Sequence, residues 1–220
     1  MRRKILNLHL IYVILYLTNN IVKGVNIMTK PFEADKHFYT VTELLENGLT
    51  YYKINKLVSE GKLIKLNKKI YENTEFNGDD SDYSYASAVI PKGRICMMTA
   101  ARYYGLTTYL PDGIDVAIER NMKPSVLPDW PQINVWYFPE KRYDNGVTVG
   151  LENSEKFAIY DIEKTVVDIV YYRNKIGIEE TKEILKNYLG REDRDLVKLR
   201  RYAEPLGCAK ILGTYLEVLL

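Results

Sequence analysis

Residues 40–71 read TVTELLENGLTYYKINKLVSEGKLIKLNKKIY and determine the expected fold of the first part of the chain. The segment 40–48 is typical of a short helix, because Thr40 or Thr42 can serve as its N-cap and Gly48 can end it. The stretch is therefore predicted to begin with a helix that stops at a glycine.

A second helix is predicted over 51–61, with Thr50 as its N-cap and Gly61 as its end. Its apolar residues recur at helical spacing and form one face: Tyr51, Ile54, Leu57 and Val58. Two short β segments, 63–66 and 69–71, follow around a tight polar turn. Helix, turn, helix and β-ribbon is the plan of a winged helix-turn-helix domain.

The first helix of that plan would come from 32–39 or from a segment without a clear signal.

Polar, acidic and turn-rich residues over 76–84 are typical of a linker. The winged helix-turn-helix is therefore assigned to 28–75 and a second domain to 85–220. Because that domain mixes strand and helix patterns and ends in helices, the predicted fold class is α+β. Helices are expected at 85–91, 95–104, 161–170, 178–189, 193–206 and 208–220, and strands at 114–119, 133–138, 147–151 and 157–160.

The composition excludes several classes of protein. Hydrophobic residues make up 46% of the 220 residues and charged residues 27%, which argues against disorder. Cys96 and Cys208 lie far apart, which excludes a disulfide scaffold and a cysteine-rich zinc site. His9 and His37 alone cannot build a histidine metal centre. Since the sequence also lacks the common nucleotide-binding and hydrolase motifs, no cofactor is expected.

Residues 1–27 differ from the rest of the chain, because three basic residues precede an apolar run over 5–17. This is the outline of a signal peptide, but no clear cleavage site follows. The run is also too short for a membrane span, which takes about 20 residues. Met28 resembles a normal bacterial start, so translated upstream sequence is the favoured interpretation and a weak signal-like segment the alternative. We expect a cytoplasmic protein without a membrane partner.

Basic charge is concentrated in one segment. Residues 28–220 carry 27 basic and 29 acidic side chains, so the overall charge does not indicate a nucleic-acid partner. Within 50–71, however, six lysines accompany a single acid, Glu60. The residues predicted to contact double-stranded DNA are Thr50, Tyr52, Lys53, Asn55, Lys56, Ser59, Lys62, Lys65, Asn67, Lys68 and Lys69.

These residue types match the chemistry of DNA. Asparagine can bind adenine through two hydrogen bonds, and lysine can bind guanine or neutralise a phosphate. Tyrosine and serine can donate to phosphate oxygens. Lys68 and Lys69, at the turn of the ribbon, suit contacts with the DNA backbone or the minor groove. A lysine-rich helix that is merely solvated is the alternative interpretation.

Several motifs, taken in order, resemble the AbiEi-type family of bacterial antitoxins over about residues 36–220. The motifs are VTELLENG (41–48), INKLVSEGKL (54–63), PKGRIC (91–96), AARYYGLT (100–107), DVAI (115–118) and IYDIEKTVVD (159–168). The resemblance implies an autorepressor whose winged helix binds inverted repeats in its own promoter. It further implies that the C-terminal domain counteracts a nucleotidyltransferase toxin encoded beside it, with direct contact between the two proteins left open.

No motif determines which residues antitoxin activity requires. The candidates are charged residues of the second domain: Arg94, Arg102, Asp161, Glu163, Lys164, Asp168 and Arg173. At helical spacing Asp161, Lys164 and Asp168 share a face, which favours an intrahelical ion-pair strip over a catalytic pair. A structural hub between a hairpin and a helical bundle is the other interpretation of this stretch.

Two other classes of function stay open. A winged helix can bind protein rather than DNA. Asp112, Asp115 and Glu119 also resemble, superficially and with poor spacing, the carboxylates of a magnesium-dependent nuclease. The expectation is nevertheless a protein that is not an enzyme.

Overall fold

The computed structural model describes residues 36–79, 81–124 and 126–219. The N-terminal extension over 1–27, and with it the choice between a signal-like segment and upstream sequence, lies outside these residues. Within the described ranges, no helix is long and apolar enough to cross a membrane.

The first part of the chain folds around a small antiparallel sheet with the strand order β1–β3–β2. Its elements in chain order are β1 (Phe38–Thr40), α1 (Val41–Glu46), α2 (Tyr51–Ser59), β2 (Leu63–Lys65) and β3 (Ile70–Asn73). The predicted succession of helix, turn, helix and β-ribbon is present, whereas membership of the winged-helix class stays a prediction.

Local hydrogen bonds explain where the two helices begin. Thr40 is the N-cap of α1: its Oγ1 accepts from the Glu43 backbone N–H at 3.1 Å, and its own N–H donates to Glu43 Oε2 at 2.8 Å. This capping box satisfies donors that a helix start leaves unpaired. Thr50 caps α2 by accepting from the Lys53 N–H at 3.3 Å. Gly48, between the helices, has a φ of +82°, which glycine adopts without strain.

Of the two sources predicted for the first helix, the segment 32–39 is wrong over its described residues, 36–39. Phe38–Thr40 is a strand that pairs antiparallel with β3, and Tyr39 lies opposite Tyr71. The Asn73 N–H extends the pairing by donating to the His37 carbonyl at 2.8 Å. The partner strand lies far along the chain, so local periodicity does not reveal it.

The second part of the chain is built on a five-stranded mixed sheet with the order β6–β5–β4–β8–β7. Its strands are β4 (Arg94–Ile95), β5 (Ile114–Glu119), β6 (Ile133–Phe138), β7 (Val147–Glu152) and β8 (Glu155–Tyr160). Its helices are α3 (Asp82–Val89), α4 (Met97–Tyr103), α5 (Glu140–Asp144), α6 (Ile162–Tyr171), α7 (Arg173–Ile176), α8 (Ile178–Leu189), α9 (Leu196–Ala203) and α10 (Ala209–Leu219). The predicted α+β fold class is confirmed.

Both faces of this sheet are covered. Val116 and Ile159 belong to a buried cluster with Tyr85 of α3. Ala117 and Tyr160, their neighbours along the strands, belong to a second cluster with residues of α6, α8, α9 and α10. Because consecutive strand residues point to opposite faces, the sheet separates two layers of helices.

The boundaries of several elements differ from those predicted. β5 and β6 have the predicted bounds, but the linker expected over 76–84 is too long, because Asp82 already opens α3. The helix expected over 95–104 begins later, because Arg94–Ile95 is a strand paired with β5 and β8. α5 and α7 were not predicted.

Candidate nucleic-acid interface

The orientation of α2 is set by its buried face. Ile54 is completely buried, and Leu57 and Val58 are half-buried against the same cluster. Tyr51 was predicted to share this face. It is instead 62% exposed, and it lies in the first turn of α2, outside the buried cluster. The apolar face is therefore narrower than the spacing predicted.

The opposite face of α2 points into solvent. The exposed residues on it include Tyr52, Lys53, Asn55, Lys56 and Ser59. All were predicted to contact DNA, and none is covered by the second part of the chain. A burial of these side chains would have excluded them from any interface with a large ligand.

Most lysines of this segment lack a carboxylate partner among the described residues. Among residues 36–79, 81–124 and 126–219, Lys56 alone of these lysines forms an ion pair, with Glu60 at a distance of 3.7 Å between Nζ and Oε1. The exposed lysines without a carboxylate partner in those ranges are Lys53, Lys62, Lys65, Lys68 and Lys69. Their charges add up to a positive surface that extends from α2 to the β2–β3 hairpin.

Two hydroxyls in this segment also have local roles. The Thr50 oxygen accepts from the backbone at the N-cap, and the Ser59 hydroxyl donates to the Lys56 carbonyl at 2.7 Å. Both residues are exposed. Each can still offer the rest of its hydrogen-bonding capacity to a ligand.

Asn67 stabilises the hairpin turn. Its side chain is buried, and its Oδ1 accepts from the backbone N–H groups of Lys69 at 2.8 Å and Ile70 at 3.0 Å. This asparagine therefore shapes the hairpin turn and holds Lys68 and Lys69 at its tip, rather than facing DNA itself.

The acidic and basic residues at the start of α6 are largely buried. Lys164 and Asp168 form an ion pair in which both side chains are almost inaccessible, and Arg142 of α5 binds the other oxygen of Asp168. Arg142 also donates to the Leu206 carbonyl at 2.8 Å, and its guanidinium stacks over the Tyr171 ring at 3.9 Å. Burial lowers the pKa of Lys164 from its usual value, while the Asp168 carboxylate opposes that shift.

Two further acids of this stretch connect α6 to its neighbours. Asp161 caps α6 by accepting from the Lys164 N–H at 2.9 Å, and it accepts from the Tyr202 hydroxyl at 2.8 Å. Glu163 binds Lys198 of α9 at 2.9 Å. Of the predicted intrahelical strip, Lys164 and Asp168 form an ion pair within α6, whereas Asp161 caps the helix and binds α9. The structural-hub interpretation agrees with the contacts.

The remaining candidates of the second part are scattered. Arg94 lies over the Tyr143 ring at 3.6 Å and close to Asp144 at 3.6 Å. Arg173 donates to the Val170 carbonyl at 3.3 Å, and Arg102 is exposed on α4. Among the described residues, no hydrogen bond or ion pair joins these three arginines to the charged side chains at the start of α6.

Asp115 has the environment of a structural carboxylate. It is buried and accepts from the N–H groups of Met98 at 3.1 Å and Thr99 at 3.3 Å, and from Trp136 Nε1 at 3.0 Å. Burial raises its pKa, and these hydrogen bonds oppose the rise. Among the described residues, no group of three or more His, Cys, Asp or Glu side chains is placed to hold a metal ion.

Both cysteines are buried. Burial raises the pKa of Cys208 to about 11 and that of Cys96 well above its usual value. Thiols in this state are poor nucleophiles, which agrees with their interpretation as small core residues.

Comparison with known proteins assigns no family. No family model and no curated protein matches the chain. A crystal structure of the RV2827C protein from Mycobacterium tuberculosis matches with a TM-score of 0.45 and 15% sequence identity, over 83% of this chain and 76% of that one. A likeness of this size carries no functional argument.

Replacing Asp168 by alanine tests the structural role of the α6 charges. D168A leaves Lys164 and Arg142 buried without their carboxylate, so we expect a loss of about 3–5 kcal/mol in the free energy of unfolding. Glu179, whose pair with Lys182 is exposed, provides the control, and E179A should leave the urea midpoint nearly unchanged. Urea unfolding measures both. Equal stability of D168A and the unsubstituted protein would contradict the buried-network assignment.

Proposed function

We propose that this protein binds double-stranded DNA in a sequence-specific manner through α2 and the β2–β3 hairpin. The observation that carries the proposal is the orientation of α2. Ile54 holds one face in the core, so that Lys53, Asn55 and Lys56 stand together in solvent. A helix that enters the major groove needs such an exposed polar face.

The hairpin lies next to this helix and adds charge to the same side of the chain. The Lys62 N–H donates to the Leu57 carbonyl at 3.0 Å, which connects the end of α2 directly to β2. Lys68 and Lys69 then occupy the tip of the hairpin. In this proposal Asn55 contacts a base edge, while Lys53 and Lys56 contact bases or phosphates and the hairpin lysines contact phosphates.

The resemblance to the AbiEi-type antitoxins supports a finer proposal. The protein is a cytoplasmic autorepressor that binds inverted repeats in its own promoter, and its second part counteracts a co-encoded nucleotidyltransferase toxin. Neither activity calls for a cofactor or for catalysis by this chain. The buried charges of α6 support the second part's fold, so an exposed surface elsewhere would serve the antitoxin activity.

A protein partner for the first part is the second candidate. Tyr51 and Tyr52 are 62% and 79% exposed, and Ile64 on β2 is 49% exposed. Exposed aromatic residues of this kind are common in protein interfaces. Salt dependence separates the two candidates, because neutralisation of phosphates makes DNA binding strongly sensitive to salt.

Alanine variants of the exposed α2 face test the DNA-binding proposal. In a gel-shift titration with a duplex from upstream of the protein's own gene, N55A should bind about 5- to 150-fold more weakly, because one base contact is worth about 1–3 kcal/mol. K56A should weaken binding and reduce the slope of log affinity against log salt by about 0.9 to 1. K186A, which removes an exposed lysine of α8, is the matched control and should bind normally.

Two outcomes would contradict the proposal. If N55A and K56A bind as tightly as the K186A control, α2 is not the recognition helix. If affinity for the duplex hardly changes between low and moderate salt, the first part recognises a protein partner instead.

The antitoxin proposal is tested by co-expression. A nucleotidyltransferase encoded beside this gene should stop growth when expressed alone, and the full chain from a foreign promoter should restore it. The double variant N55A/K56A should restore growth equally well, because the proposed antitoxin activity resides in the second part. A failure of the full chain to restore growth would remove the antitoxin assignment and leave the DNA-binding proposal intact.

A further inference from the structure

β7 lies at an edge of the five-stranded sheet, and only β8 pairs with it among the described strands. The direction of its backbone groups follows from two contacts. The Gly146 carbonyl accepts from the Asp161 N–H at 2.7 Å, on the side of β8. The Leu151 N–H donates to the Tyr103 hydroxyl at 3.1 Å, and the Leu151 carbonyl accepts from it at 3.3 Å, on the outer side.

Because these directions alternate along an antiparallel strand, the N–H and C=O groups of Val147 and Val149 also point outward. Tyr103 covers the outer groups of Leu151 only. Within the described part of the chain, the unpaired stretch of this edge is therefore Val147 to Val149, centred on Thr148. It offers two donors and two acceptors to an additional strand.

The side chains along this edge are apolar and exposed. Val147, Val149 and Leu151 are 39%, 67% and 57% exposed, respectively, and they lie on one side of the strand. Residues 145–151 contain no charged side chain, although charged residues make up 27% of the chain. Edge strands usually carry charges or prolines that prevent pairing with another strand. The stretch 145–151 has neither, and the single charge of β7, Glu152, stands at its far end.

We propose that β7 pairs antiparallel with β7 of a second copy of this chain, with the two-fold axis at Thr148. In this register Val147 faces Val149 of the second copy, and Val149 faces Val147. Each of these two residue pairs forms two N–H···O=C hydrogen bonds, so four hydrogen bonds connect the two strands. The four valine side chains meet on one face, and the two Thr148 residues stand opposite each other.

A second copy suits this edge because the edge is complementary to itself. An isologous joint requires the same pattern when the strand is reversed, and the sequence Val147-Thr148-Val149 is symmetric about its centre. The uncharged stretch also places no like charges opposite each other within the paired residues. Tyr103 limits the joint to a short length, so the interface is small and its affinity in free solution is low.

The β7–β7 pairing would have its largest effect when the protein is bound to DNA. Inverted repeats place two copies in a two-fold relation, and binding of both to one duplex raises their local concentration. Pairing of β7 would then make the occupation of the two half-sites cooperative. This consequence rests on the proposed function, whereas the pairing itself does not.

Cross-linking through Thr148 tests the pairing in the full chain without DNA. Directly opposed residues of a non-hydrogen-bonded antiparallel pair have Cα atoms about 4.5 Å apart, which lies within disulfide range. Thr148 is exposed, so T148C should fold normally, and the two native cysteines are buried. Under mild oxidation T148C should give about tenfold more disulfide-linked dimer than V197C, which places a cysteine on an 80% exposed position of α9.

A second variant separates pairing from chance collision. Adding V149K to T148C places two like charges at the joint, so the dimer yield should fall to that of V197C. The pairing is wrong if T148C alone yields no more dimer than V197C, or if V149K leaves its yield unchanged.

The effect of the pairing on cooperative DNA binding is measured in a separate experiment. V149K should bind a single half-site normally and lose cooperativity on the full inverted repeat. Failure of the unsubstituted protein to bind DNA, together with efficient T148C cross-linking, would contradict the proposed function and keep the β7 pairing.

Discussion

The burial of Ile54 is the constraint on which the proposed interface depends. This side chain packs in a small cluster with Leu44, Leu63 and Tyr71, which come from α1, β2 and β3. Since successive helix residues are about 100° apart, a fixed position for Ile54 turns the neighbouring residues Lys53 and Asn55 toward solvent. Full burial of an isoleucine side chain contributes about 1.5–3 kcal/mol, which opposes any rotation of α2. The chemistry of the exposed face is thus fixed by one apolar contact on the other face.

The second part of the chain depends on a different constraint, the compensation of buried charge. Asp168 would be costly to bury alone, and it is stable in the interior because Lys164 and Arg142 both bind it. The same contacts join α5 and α6, and Asp161 and Glu163 extend them to α9. The charged residues of α6 look like a functional site when only the sequence is considered. In the structure they hold helices together. The surfaces proposed here for partners lie elsewhere, on the exposed face of α2 and at the edge of β7.

Local patterns predicted most of the elements but few of the contacts. Alternation and apolar runs correctly bounded β5 and β6. Capping is a local interaction, so Thr50 marked the start of α2, and the start of α1 was narrowed to Thr40 or Thr42, of which Thr40 is the cap. β1 and β4 were missed because each is only two or three residues long and is defined by partners distant in sequence. Their pairing is a tertiary effect without a periodic signal.

The candidate site was predictable to a similar extent. The exposed face of α2 followed from its helical spacing, whereas the turn-forming role of Asn67 depends on backbone groups brought close by the hairpin. Arg142 was missed altogether, because no pattern connects it to Asp168 across 26 residues. An Asn-containing turn does suggest local hydrogen bonding, and that signal could have identified Asn67.

The central claim is that the exposed face of α2 lies in the major groove of DNA. The most direct measurement attaches iron–EDTA to Glu60→Cys, an exposed position at the end of α2 that is not a proposed DNA contact, and maps hydroxyl-radical cleavage on a duplex from upstream of the gene. Cleavage should cluster within each half of an inverted repeat, with no such clusters from a label at Val197→Cys on α9. Cleavage that is absent from the repeats, or identical for the two labels, would contradict it.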